Sequence, residues 1–167
     1  MHRILMVLAG IVAISAVTHD SLAAQSATAS LTVTASVTKN CTISTTPVNF
    51  GAYDTVAANA TAPLDGIGTI VVTCTKGAAA KVGLSTGSNA QGTTRRMTTS
   101  ATEFLNYELY KDAARTSVWG DGIDTGLDLG AAPNRNPRTF TTYGRVPAAQ
   151  DATVGNYTDT VVATVNF

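Results

Sequence analysis

Histidine is almost missing from this sequence: the chain has two, His2 and His19, and both lie within its first 24 residues. Those residues are typical of a secretory signal peptide, since His2 and Arg3 precede an apolar run over residues 4–17. Removing them leaves no imidazole, which excludes His-activated nucleophiles, His ligands for zinc and the commonest general base near neutral pH. We therefore expect no enzyme activity, no cofactor and no metal site.

Long apolar runs are missing after the leader. The run in the leader is itself shorter than the roughly 20 residues that span a bilayer, so a retained membrane anchor is the weaker alternative to a cleaved signal peptide. Cleavage near residue 24 would leave about 143 residues, which is the size of one domain. The sequence predicts an exported, single-domain protein.

Charge is also scarce, with 11 basic and 11 acidic residues in 167 and a formal net charge of zero. No basic stripe is present to bind phosphates, so we expect no nucleic-acid partner. Arg95 and Arg96 stand together in a Gly/Thr-rich stretch, which predicts a solvated loop or hairpin tip. The spacing of Asp121, Asp124 and Asp128 does not match an EF-hand loop and favours a solvated turn over a calcium site.

Other candidate site residues have structural interpretations. Glu103 and Glu108 could form an acid/base pair, but their odd separation puts them on opposite faces of a strand. Trp119, Tyr107 and Tyr110 could stack on a sugar, although aromatic residues of a β-sandwich usually lie in its core. We expect these residues to be structural.

Cysteine is limited to Cys41 and Cys74, without CxxC spacing. In an exported chain this favours an intramolecular disulfide over a metal pair or a redox centre. Closing a loop of this length contributes roughly 3 to 4 kcal/mol in the chain-entropy model. We expect the bond to be structural.

Helical periodicity is missing as well, because apolar residues recur at every second position and Gly and Pro clusters separate the segments. The pattern predicts an all-β protein, and several short strands suggest a sandwich. The predicted strands are residues 48–53, 67–75, 80–86, 95–98, 104–111, 138–143 and 156–167.

The segment after the leader is a long alternating strand. Its odd positions are all apolar and its even positions are all Ser or Thr; the apolar residues are Ala27, Ala29, Leu31, Val33, Ala35 and Val37. In an extended strand these six side chains share one face. Such a segment requires a hydrophobic groove, and it would be an aggregation hazard without one.

The C-terminal strand has a complementary pattern. One of its faces carries Tyr157, Val161, Ala163, Val165 and Phe167, and the sequence stops there. We expect this strand to leave an edge and a groove for another segment, for which the N-terminal strand is the obvious candidate. Tyr157, two residues after a glycine, resembles a tyrosine corner.

Several stretches match a known family. They are residues 48–53 (VNFGAY), 70–74 (IVVTC), 106–116 (NYELYKDAART), 119–122 (WGDG), 143–150 (YGRVPAAQ), 155–161 (GNYTDTV) and 165–167 (VNF). Taken together, they resemble the spore coat protein U domain family, which includes subunits of archaic, Csu-type chaperone/usher pili.

The resemblance implies an immunoglobulin-like β-sandwich that lacks its last strand. Residues 25–38 would be a donor strand, and residues 39–167 an incomplete pilin domain completed by the donor strand of another copy. The implied partners are identical or related pilin subunits, a periplasmic chaperone and an outer-membrane usher. The implied location is the periplasm and then the cell surface, in a pilus that serves adhesion or biofilm formation.

Two other functions stay open from the sequence. The donor strand could fold back into its own domain as a hairpin, because residues 38–40 suffice for a turn, and this would give a self-complemented spore, cell coat or matrix protein. A secreted carbohydrate-binding module is the third hypothesis. It requires exposed aromatic side chains.

Overall fold

The structure, a computed structural model, describes residues 24–122 and 124–167. The predicted signal peptide, apart from Ala24, lies outside the described residues. The chain divides into two units, Met1–Ala35 and Ser36–Phe167. Residues 24–40 contain no helix or strand, and every one of them is exposed. Among the described residues no helix is long and apolar enough to cross a membrane.

The second unit is a β-sandwich of two antiparallel sheets, which confirms the all-β prediction. The five-stranded sheet has the order β1-β2-β7-β5-β4, and the three-stranded sheet has the order β6-β3-β8. A single helical turn, Ala58–Thr61, lies between β1 and β2. The strands are β1 Cys41–Asn49, β2 Leu64–Cys74, β3 Ala79–Leu84, β4 Arg95–Thr98, β5 Phe104–Tyr110, β6 Leu127–Ala131, β7 Arg138–Val146 and β8 Ala163–Asn166.

The core lies between the two sheets and follows from the alternating pattern. Ile70 and Val72 of β2 and Val82 of β3 are buried, because every second residue of these strands points inward. Trp119 is completely buried, and its Nε1 donates a hydrogen bond to the carbonyl oxygen of Val82 at 2.8 Å. The core position expected for Trp119 is confirmed.

The first strand is not where the sequence pattern placed it. β1 is Cys41–Asn49, whereas the predicted strand was 48–53. The outward side chains of β1 are hydroxyl-bearing, and Pro47 lies where the pairing with β2 shifts register. Proline is tolerated at a sheet edge because it has no N–H to donate. A polar strand with a proline does not show the apolar alternation that identified the others.

Two further strand predictions need correction. β6 was missed, because its five residues follow an Asp/Gly-rich stretch that was interpreted as a turn. The last predicted strand, 156–167, is a regular strand only over Ala163–Asn166. Nevertheless, half-buried odd and exposed even residues alternate from 157 to 166. The chain is therefore extended over this length without regular pairing.

The prediction for Arg95 was wrong. Its side chain is 2 % exposed and forms an ion pair with Glu108. Its guanidinium also donates hydrogen bonds to the carbonyl oxygens of Leu84 at 2.9 Å and Trp119 at 2.8 Å. Arg95 therefore joins β4 to the interior instead of lying in solvent. Glu103, by contrast, accepts a hydrogen bond from the Thr153 hydroxyl at 3.1 Å.

The disulfide between Cys41 and Cys74 is present, as predicted. These two residues are paired across β1 and β2, and the bond fixes the start of one strand to the end of the other. The two strands continue to pair one residue beyond it, since the N–H of Thr75 donates to the carbonyl oxygen of Asn40 at 2.9 Å.

A candidate groove between two edge strands

Two strands that contact each other, β1 and β8, lie at the edges of different sheets. β1 pairs with β2, and β8 pairs with β3. Each of these strands has no neighbouring strand in its sheet on one side, so their junction is a candidate site for an added strand.

One cavity opens at this junction, and a second adjoins it near the end of β1. The first has a volume of about 420 Å³, and the second of about 890 Å³. They share Val48, Phe50, Met97 and Tyr157 among their lining residues, so they form one continuous depression. We call it the edge groove. Its walls come from residues 45–55 on the β1 side and 152–163 on the C-terminal side.

The sequence-predicted acceptor residues lie along or near this groove. Tyr157, Val161 and Ala163 line the first cavity. Val165 packs half-buried against the core, and Phe167 is 51 % exposed and lines neither cavity. The structure thus brings three of the five residues to the groove. Tyr157 also donates from its hydroxyl to the carbonyl oxygen of Thr153 at 3.0 Å, the bond of a tyrosine corner.

The backbone of the C-terminal wall is paired on one side. Thr158 exchanges backbone hydrogen bonds with Thr98, and the carbonyl oxygens of Thr160 and Val162 each accept one from the turn after β3. The backbone groups of Tyr157, Asp159 and Val161 have no hydrogen-bond partner among the described residues. Since the backbone groups of a strand point alternately to its two sides, the unpaired groups form a free edge along the groove.

A carboxylate that sequence reasoning missed holds this wall in place. Asp159 accepts hydrogen bonds from the backbone N–H of Ser88 at 3.0 Å and of Asn89 at 3.2 Å, and from the Asn89 side chain at 3.0 Å. The buried Tyr107 hydroxyl donates to it at 2.6 Å. Gly87 passes so close, with φ of 91°, that a Cβ there would overlap the carboxylate.

Two effects act in the same direction on the pKa of Tyr107, the partner of Asp159. Burial raises the pKa of the Tyr107 hydroxyl well above its usual range, and the hydrogen bond to Asp159 raises that pKa further. The phenol therefore remains a hydrogen-bond donor at neutral pH. A signal was available in the sequence, because Asp159 occupies an inward position in an otherwise apolar alternation.

Phe50 forms part of the floor of the groove. Its ring lies 6.1 Å from that of Tyr107, and it packs over a Gly144 backbone where an added Cβ would come within 2.7 Å of the ring. The glycine thus makes room for the aromatic ring. Because Trp119 and Tyr107 are buried in the described structure, two of the three aromatic residues considered for sugar stacking are not on the surface.

The predicted donor strand has its larger apolar side chains uncovered. Leu31, Val33 and Val37 are 88 %, 85 % and 86 % exposed. Three large apolar side chains on one face of an extended segment are costly in water and are typical of an interaction site. In the described ranges no group of three His, Cys, Asp or Glu residues could hold a metal ion.

This fold and groove define a class: immunoglobulin-like β-sandwiches with an open junction between two edge strands. The chain belongs to the Spore Coat Protein U domain family, whose pattern matches residues 27–164. It is 38 % identical over 169 residues to Protein U of Myxococcus xanthus, covering 93 % of each chain.

The solved structures that match include proteins of pili. The chaperone-tip adhesion subunit pre-assembly complex CsuC-CsuE of Acinetobacter baumannii contains a chain that matches with a TM-score of 0.57 and 22 % identity. The match covers 78 % of this chain and 40 % of that one, so this chain spans less than half its length. The E. coli Hda pilus minor tip subunit HdaB matches with a TM-score of 0.37, 14 % identity and coverage of 75 % and 79 %.

Proposed function

We propose that this protein is a structural subunit of a surface fibre, in which residues 25–38 of one copy, the donor segment, fill the edge groove of the next. Insertion of a strand beside an exposed sheet edge is a known mode of recognition, with backbone hydrogen bonds for affinity and side-chain pockets for specificity. The observation that carries the proposal is the free backbone edge at Tyr157, Asp159 and Val161. It borders an apolar groove in a chain that also carries an uncovered apolar segment.

The donor segment and the groove walls have similar numbers of residues. The apolar face of the donor segment extends over residues 27–37, which is 11 residues and about 33 Å of extended chain. The groove walls, residues 45–55 and 152–163, contain 11 and 12 residues. The apolar face of the donor segment therefore has about as many residues as each wall of the groove.

Partners follow from the same features. An open groove and a free edge invite aggregation before assembly, so we propose that a periplasmic chaperone covers them and that an outer-membrane usher exchanges the chaperone for the next subunit. The fold similarity to a chain of a chaperone-subunit complex supports this route. We assign the subunit to the shaft or to an adaptor position of a pilus serving adhesion or biofilm formation, because the features described here serve subunit joining.

A self-complemented spore or cell coat protein is the second candidate. The observation in its favour is the 38 % identity to Protein U in a family named for the spore coat. Such a protein would use the same groove and the same donor segment, but within one copy.

The test is a matched pair of charge substitutions in the donor segment of the full precursor, expressed in its native host. Val33→Asp puts a carboxylate on the apolar face, whereas Thr34→Asp puts it on the polar face one residue away. Surface material is then run on detergent gels with and without boiling. Burying an unpaired carboxylate in the groove is costly, so Val33→Asp should abolish the multimers and Thr34→Asp should retain them.

The possible results separate the candidates. Heat-sensitive multimers in the wild type that disappear only in Val33→Asp support the fibre. A heat-sensitive compact monomer in the wild type, lost in Val33→Asp, supports the coat protein. Equal multimer yields from the two variants would contradict the role of the donor segment.

A further inference from the structure

We propose that Asn40 and Thr75 determine which groove the donor segment enters, by holding the linker straight and so favouring the groove of a second copy over its own. The inference rests on the proposed function. It concerns residues 38–40, here called the linker, which run from the last residue of the donor segment to the start of β1 and lie in the second unit of the chain.

Thr75 is bonded to the linker through both its backbone and its side chain. Its N–H donates to the carbonyl oxygen of Asn40 at 2.9 Å, and its Oγ1 accepts from the N–H of Asn40 at 3.2 Å. The same hydroxyl lies 3.3 Å from the carbonyl oxygen of Thr38, to which it can donate. Asn40 therefore continues the line of β1 beyond the disulfide.

Self-insertion would require a different conformation of the linker. The donor segment would have to turn back and run antiparallel along the free edge of β1. With residues 38–40 as the loop, Val37 would lie opposite Cys41 and Ala35 opposite Ile43. Both β1 residues pack against the core, so the apolar faces would match and the sequence permits this register.

The loop of such a hairpin depends on Asn40. A three-residue hairpin loop usually ends in a residue with positive φ, and asparagine is one of the few residues that adopts it readily. Among the described non-glycine residues positive φ occurs at Arg115 and Ala149 and not at Asn40. To form the hairpin, Asn40 would have to leave Thr75 and break the hydrogen bonds between them.

The donor segment can enter the groove of a second copy or that of its own domain. A few hydrogen bonds are enough to decide between these two states, because both bury the same donor side chains in the same kind of groove. The burial contributions largely cancel, and the linker makes the difference. Losing one or two hydrogen bonds changes a ratio of two states by about 5- to 30-fold. Thr75 and Asn40 therefore act on partner choice and leave the stability of the filled groove unchanged.

The experiment compares variants of the full precursor in the native host by gels with and without boiling and by gel filtration. Thr75→Val removes the hydroxyl, and Asn40→Gly removes the cost of positive φ. Both should raise the ratio of closed monomer to multimer by about 5- to 30-fold. Asn40→Val, which disfavours positive φ, should lower this ratio and guards against an effect of misfolding. Thr73→Val is the matched control, since Thr73 lies on the same face of β2, two residues earlier.

Each outcome has a definite meaning. If the wild type forms multimers and the ratio in Thr75→Val and Asn40→Gly equals that in Thr73→Val, the inference fails while the proposed function stands. If the wild type forms only closed monomers, the linker does not prevent self-insertion and both fail. Opposite shifts for Asn40→Gly and Asn40→Val in a multimer-forming protein would support the inference.

Discussion

Arg95 is a buried cation that stabilises the sandwich through several carbonyl groups at once. Its guanidinium donates hydrogen bonds to the carbonyl oxygens of Leu84, Ser85 and Trp119. It also forms an ion pair with Glu108. Removing one member of a buried ion pair leaves the other uncompensated, which costs about 3 to 5 kcal/mol. We expect Arg95→Met to lower the free energy of unfolding in urea by about that amount.

Arg96→Met is the control for Arg95. Arg96 is half-buried, lies 3.9 Å over the Phe104 ring and donates to the carbonyl oxygen of Asn89. An interaction of this kind is worth about 1 kcal/mol. Equal loss of stability in the two variants would show that the buried network around Arg95 contributes nothing of its own.

Single residues differ in how far the sequence alone predicts them. Trp119 and the Cys41–Cys74 bond were predicted correctly, because a large aromatic residue in a sandwich and two cysteines in an exported chain each have a dominant structural role. The partners of Arg95 and Asp159 could not be predicted. Their partners, Glu108 and Asn89, come from other elements, and only the fold brings them together.

At the level of elements, most strands were located, including the short polar strand β4, whereas the edge strand β1 was displaced and the edge strand β6 was missed. β2 and β5 have an inward residue at every second position and were located to within a few residues. β1 and β6 are edge strands, and their exposed sides carry polar residues or glycine. Three of the five residues predicted for the acceptor groove line the edge groove, whereas no residue of its β1 wall was predicted as a groove residue.

The C-terminal wall depends on the bond between Tyr107 and Asp159, which gives it a pH dependence. The pKa of Tyr107 is raised in the folded state above its ordinary value of about 10. Its contribution to stability is therefore fully present below pH 10 and is lost as the pH rises above that value. We expect Tyr107→Phe to be less stable at pH 7 by about 1.5 kcal/mol or more.

The same variant should lose less stability than the wild type between about pH 9 and about pH 11, since the titrating hydroxyl is gone. Urea unfolding at several pH values measures both effects. Tyr143→Phe is the control, because the Tyr143 hydroxyl has no hydrogen-bond partner in the described part of the chain. Parallel pH profiles for the wild type and Tyr107→Phe would show that the Tyr107 hydroxyl does not cause the loss of stability at high pH.

At the scale of the whole molecule, the chain combines an uncovered apolar segment with an unfilled sheet edge, and each is unfavourable alone. Such an arrangement is compatible with a stable state only when the two meet, within one copy or between copies. The distribution of charge indicates which forces hold the donor segment in the groove, a contact that we call the joint. Residues 27–37 carry no charged side chain, and the net charge of the chain is zero, so burial of apolar groups and backbone pairing should hold the joint together.

A salt comparison on isolated fibres tests this directly. Raising NaCl from about 0.1 M to about 1 M shortens the Debye length from about 10 Å to about 3 Å and would weaken ion pairs across the joint. Sulfate strengthens apolar burial because it is excluded from protein surfaces. We therefore expect the temperature at which heated fibres release monomer, measured by gel filtration, to be unchanged by NaCl and raised by sodium sulfate at equal ionic strength. A fall in that temperature with NaCl would mean that charged groups outside the donor segment join the subunits, and the groove would then not be the main contact.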